Sequence, residues 1–149
     1  LNLSGTQVTD AELAHFKDCA ALAGLNLGMT QVTDAGLAHF KDCRTLTYLS
    51  LNDTSVSDEG LSAFKDCTGL TFLGLNKTKA TDVGLAHFKN CTLLQRLQLS
   101  GTAVTDAGLA HFKDCKTLTQ VEVQKSKVTA AGVAGLKESL PAWTVTTAP

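Results

Sequence analysis

The sequence predicts an α/β solenoid, and three observations predict it. One 24-residue phrase is written six times, from Leu1, Leu25, Leu49, Leu73, Leu97 and Val121, with a five-residue remainder ending at Pro149. Each copy opens on a short alternation of apolar and polar residues. Each then carries a helix start signal followed by an apolar stripe at helical spacing. A period of this length marks supersecondary units that bury their apolar edges only against their neighbours.

The fifth copy justifies the elements in order. Leu97 and Leu99 flank Gln98, the period of two of a short strand. Thr102 and Val104 follow. Thr105 and Asp106 form an N-cap signature, since either side-chain oxygen can accept from the free N–H groups of a first helical turn. Which of the two is the cap stays open. Leu109 and Phe112 share a helix face, and Cys115 and Leu118 continue that inward stripe. The expected helix is about eight or nine residues long, between Thr105 and Asp114.

The run Leu94, Leu97, Leu99, Thr102 and Val104 resembles the leucine-rich repeat family, whose pattern is L-x-x-L-x-L-x-x-N/C-x-L. The resemblance covers the whole chain. It departs from the family at Thr6, Thr30, Thr54, Thr78, Thr102 and Ser126, where Asn is usual. In the family those Asn side chains form a hydrogen-bond ladder along the solenoid. A hydroxyl both donates and accepts, so a thinner Thr ladder is expected here. The helical segment with its terminal Cys is similar to the cysteine-containing and ribonuclease-inhibitor-like subclasses, and the Thr-bearing repeats resemble bacterial members. The resemblance implies a right-handed horseshoe with a parallel sheet on the concave face and short helices on the convex face.

Residues 1–149 read as a single domain. The sixth copy degrades, with Val121 and Val123 for Leu, Ala130 for the helix Asp and Ser139 for Cys, and Pro141 then stops the helix. Residues 121–149 are therefore expected to be a C-terminal capping repeat, with Trp143 over its core. The chain opens inside a strand phrase, so an N-terminal part is expected to be missing. The uncapped edge at Leu1–Leu3, beside Val8, Leu13 and Phe16, is expected to be partly bare and to favour a homodimer.

Charge excludes several classes of function. Thirteen basic and 14 acidic residues give a net charge of −1, which offers no attraction to nucleic acid or an acidic membrane. No apolar run is long enough to span a bilayer. Lys17, Lys41, Lys65, Lys89, Lys113 and Lys137 form a rail, but each is followed by Asp, Asn or Glu. Cys19, Cys43, Cys67, Cys91 and Cys115 recur once per copy and are expected to be reduced, shielded core residues, which favours a cytoplasmic location. The pairs His15/Cys19, His39/Cys43, His87/Cys91 and His111/Cys115 stand four residues apart and could form a metal or thiol site. Each copy offers only two ligands, however, and tetrahedral zinc needs four. No catalytic residue, metal or cofactor is assigned.

The columns that vary between copies point to function. Tyr48, Phe72 and Arg96 occupy one outward column and would form a patch about 10 Å long at the ordinary strand spacing. That composition suits an interface hot spot. The alternative is Arg96 stacked on Phe72 as a local cation–π pair. The polar side chains Asn52, Asn76, Gln98, Gln120 and Glu122 complete the candidate surface. The expected function is a non-enzymatic module binding a protein or peptide on the concave sheet. A structural or recognition segment of a longer protein is the alternative.

Overall fold

The computed structural model describes residues 1–140 and 144–146. Six strands form one parallel sheet in chain order: β1 (Gly24–Asn26), β2 (Tyr48–Ser50), β3 (Phe72–Gly74), β4 (Arg96–Gln98), β5 (Gln120–Glu122) and β6 (Thr144–Thr146). The register advances by one phrase per strand, so Gly24, Tyr48, Phe72, Arg96, Gln120 and Thr144 align across the sheet. Residues 1–3 add a further row through the bridge Asn2–Asn26. The middle residues Leu25, Leu49, Leu73, Leu97 and Val121 face the interior and are fully buried.

Five short helices pack behind the sheet: α1 (Asp10–Leu13), α2 (Asp34–Leu37), α3 (Asp58–Leu61), α4 (Asp82–Leu85) and α5 (Asp106–Leu109). Each passes directly into a 3₁₀ turn, for example Ala110–Phe112 after α5. The helical segment is thus shorter and tighter than expected. Leu and Phe are three residues apart, and a 3₁₀ turn places such residues directly above one another. Both therefore point inward, and Phe40, Phe64, Phe88 and Phe112 form a buried column. The last helix, α6 (Ala130–Ser139), is a regular ten-residue α-helix. Pro141 and Trp143, assigned to a cap by the sequence, lie outside the described residues.

Helix capping separates the roles of Thr and Asp. Thr105 Oγ1 accepts from Ala107 N–H and caps α5. Asp82 of the preceding copy instead accepts from Thr105, with the backbone N–H on Oδ1 at 2.8 Å and the hydroxyl on Oδ2 at 2.6 Å. The same two-pronged clamp joins Asp10 to Thr33, Asp34 to Ser57, Asp58 to Thr81 and Asp106 to Thr129. In the first copy Glu12 takes over this task within its own repeat, accepting from Thr9 N–H at 2.8 Å and Thr9 Oγ1 at 2.7 Å.

The expected Thr ladder along the solenoid is not formed. The hydroxyls of Thr30, Thr54, Thr78 and Thr102 donate to the carbonyls of Leu27, Leu51, Leu75 and Leu99 in their own repeats, at 2.6–2.8 Å. At these positions the turn holds the carbonyl three residues back within reach of the hydroxyl, which is thereby occupied within its own coil. These hydroxyls lock the turn after each strand. Residues Met29, Asp53, Lys77 and Lys125 hold φ of 53–56° in those turns, and Gly5 and Gly101 hold 71°.

The thiols contribute inter-repeat bonds. Cys43 Sγ donates to Cys19 O at 3.1 Å, and Cys67, Cys91 and Cys115 repeat the contact one copy on. Those four are buried, whereas Cys19 is exposed, contrary to the expected shielding of all five. Each buried thiol in this column lies against the copy before it, whereas Cys19 belongs to the first of the six copies. At the same end Leu1, Leu3, Val8 and Phe16 are only partly covered, but Leu13 is fully buried rather than bare. Its neighbour α2 closes over it from the second repeat.

Candidate interaction surface

Parallel register brings Tyr48, Phe72 and Arg96 side by side at the first position of β2, β3 and β4. The Tyr48 and Phe72 rings stack almost parallel, with centroids 4.4 Å apart and planes inclined by 8°. The ring partner of Phe72 is thus Tyr48, not the Arg96 considered as an alternative. Tyr48 is 38% exposed even in the stack, and Arg96 is also exposed. Two stacked rings lose little conformational freedom on contact with a partner, because the stack already restricts their rotamers.

Beside the aromatics lies a row of side-chain amides ending on a carboxylate. Asn52 Nδ2 donates to Gln98 Oε1 at 2.9 Å, crossing two strands. Gln98 Nε2 donates to both oxygens of Glu122 at 3.0 and 3.1 Å. Asn76 Nδ2 and Gln120 Nε2 also approach that carboxylate, at 3.5 and 3.3 Å. Backbone bonds fix the row underneath, since Asn52 Oδ1 accepts from Asn76 N–H and Asn76 Oδ1 from Ser100 N–H, both at 2.7 Å. All five polar residues proposed from the sequence therefore belong to one network with internal partners.

Gly74 makes this arrangement possible, and sequence reasoning missed it. A β-carbon on residue 74 would stand 3.0 Å from both amide atoms of Asn52 and from Phe72 Cε1. Its missing side chain lets the Phe72 ring lie over β3 and lets Asn52 reach Gln98. The signal was visible as the smallest residue in an outward column of polar ones.

The His/Cys pairs are not brought together as a site. Cys43, Cys67, Cys91 and Cys115 are buried in the core, while on the helix side His15 is exposed and His39, His87 and His111 are half-buried. Burial raises the thiol pKa of Cys67 to about 11 and of Cys91 to about 12, so both hold their protons. Among the described residues no cluster of three or more His, Cys, Asp or Glu is placed to hold a metal ion. Also among them, no helix is long and apolar enough to cross a membrane.

A description of BspA-type leucine-rich repeat regions matches residues 7–134 in six copies. The chain belongs to this leucine-rich repeat family. No curated protein matches it. The repeat fold is shared with an internalin from Listeria monocytogenes, at 21% identity and a TM-score of 0.79, over 97% of this chain and 39% of that one. A TDR receptor aligns at 16% identity and a TM-score of 0.63, over 97% of this chain and 25% of its own. A leucine-rich repeat protein of Leptospira interrogans aligns at 18% and 0.60, over 95% and 40%. The leucine-rich repeat chain thus spans well under half the length of these neighbours, and identities this low establish the fold alone. Leucine-rich repeat domains are in general protein-binding modules rather than enzymes.

Proposed function

We propose that this leucine-rich repeat segment binds a protein or peptide through its sheet face, with the Tyr48–Phe72 stack and Arg96 as the anchor. The observation that carries this reading is a pre-stacked aromatic pair, Tyr48 exposed and Phe72 half-buried, on a sheet whose other outward residues are polar or glycine. The network of Asn52, Asn76, Gln98, Gln120 and Glu122 forms the polar floor beside it. Its members already have partners, so it contributes shape and register more than new hydrogen bonds. The open edge at Leu1–Leu3 is a second contact, between two copies of the chain, and sedimentation at increasing concentration tests it.

The main test is selection of binding peptides from a displayed library against the intact chain. Changing Tyr48, Phe72 and Arg96 together to Ala should weaken the selected binders about 30-fold or more, as loss of a hot spot does. Changing His15, His39, His87 and His111 to Ala should leave them unaffected. Binders that ignore the first variant and fail on the second would move the binding face to the helices.

A further inference from the structure

The net charge of −1 hides a one-sided distribution. The turns that follow β3, β4 and β5 hold Lys77, Lys79, Lys125 and Lys127, all exposed, and residues 76–80, 100–104 and 124–128 contain no acid. Two backbone rows set their positions. Lys77 N–H bonds Ser100 O and Gly101 N–H bonds Gln124 O, so residues 77, 101 and 125 stand in line. Lys79, Ala103 and Lys127 N–H groups bond the carbonyls of Val56, Ala80 and Val104, which aligns 79, 103 and 127 in a second row. The four lysines occupy the corners of this patch. Gly101 and Ala103, both exposed, leave a low saddle between them. The corners are two strands apart, roughly 10 Å.

The acids nearest in the fold are already engaged. Asp53 pairs with Lys77 at 2.8 Å, leaving that lysine 70% exposed. Asp82 and Asp106 turn their carboxylates to Thr105 and Thr129. Glu122 is occupied by the side-chain amides on the sheet face. The six rail lysines on the helix side differ, since each is followed by its own Asp, Asn or Glu.

We propose that this rim is a docking site for an acidic peptide segment of a partner, with its carboxylates on the four ammonium groups and its backbone over the Gly101–Ala103 saddle. The saddle is about as wide as one extended chain, and the charge is complementary to carboxylates. Nucleic acid fits less well, because neither arginine nor an aromatic ring stands among the lysines for a base to stack on. This site uses other residues than the aromatic anchor, so it stands or falls separately from it.

The test is fluorescence anisotropy with a fluorescein-labelled, Glu-rich peptide on the intact chain. Binding should weaken about tenfold between roughly 20 mM and roughly 150 mM salt, as screened surface charges require. Reversal of the rim in K79E/K125E/K127E should abolish it, and the milder K79Q/K125Q/K127Q should weaken it, with circular dichroism unchanged in both. The helix-side variant K17E/K41E/K65E should bind as the parent does. Undiminished binding by the rim variants, or equal loss in the helix-side variant, overturns the proposal. Tighter binding of a single-stranded oligonucleotide of equal charge would replace the peptide with nucleic acid.

Discussion

The carboxylate of Asp34 fills the space that a side chain on residue 60 would need: a β-carbon on Gly60 would fall 2.3 Å from Asp34 Oδ1. The same conflict recurs between Asp10 and Gly36, Asp58 and Gly84, and Asp82 and Gly108, at 2.3–2.4 Å. The clamp on Ser57 and the glycine at position 60 are therefore one device. Gly60→Ala should cost about 1–3 kcal/mol, the usual range for overpacking a filled site. In an Asp34→Ala background the carboxylate is gone and only the residue 34 Cα, at 3.0 Å, still crowds the site, so the same change should cost clearly less. Urea unfolding of the four members of this cycle measures the coupling, and simple additivity would show that the two residues do not compete.

The thiols should divide one against four. Cys19 is exposed, while the other four are buried and donate to carbonyls of the preceding repeat. Burial also keeps Cys67 and Cys91 protonated, with pKa values of about 11 and 12, and it is the thiolate that reacts. A thiol reagent at pH 8 should label one site rapidly and the remaining four only on unfolding. Rapid labelling of two or more sites in the folded chain would contradict the buried column.

Met29 should be replaceable with profit. It holds φ of 54° and its side chain is 64% exposed, so it contributes little packing against the cost of a left-handed backbone. Met29→Gly should stabilise the chain by about 0.5–1 kcal/mol, the strain relieved less the extra freedom of an unfolded glycine. Asp53→Gly should gain less, because it also removes the ion pair to Lys77. Thermal melting of the two variants ranks them.

Acid should weaken the contacts of Asp106 and Glu12. Bonds from the Thr129 side chain and backbone hold the Asp106 carboxyl below its ordinary value of 3.8, and bonds from Thr9 do the same for Glu12 below 4.5. A depressed carboxylate pKa adds stability above the unfolded value, and that stability is lost as pH falls through the folded one. Stability should therefore decline below about pH 4.5 and continue to fall past pH 3.8. Asp106→Asn should be less stable at pH 7 and flatter below pH 4.5 in denaturant titrations. Parallel pH profiles for the variant and its parent would remove Asp106 from the account.

The repeat, the strand positions and the inward Leu and Phe columns were legible because the pattern is written six times in register. The aromatic patch was legible for the same reason, since register alone places Tyr48 beside Phe72. What stayed hidden depends on distances across coils. Leu109 and Phe112 fit an α-helix and a 3₁₀ turn equally well as a pattern. Asp34 and Gly60 were each visible as recurrent letters, but they meet only once two repeats are stacked. The bond from Asn52 to Gln98 skips a strand and needs Gly74 between them, so no pairwise reading of adjacent copies could find it.

The clamp also has a direction, with the accepting carboxylate on one coil and the donating Thr or Ser and the glycine on the next. An internal unit carries both halves and can be duplicated or excised without leaving a mismatched joint. The first and sixth copies differ, because Glu12 stands where the others have glycine and Ala130 replaces the accepting Asp. Unequal recombination among the matching internal units would therefore change the length of such an array while leaving every joint between coils intact.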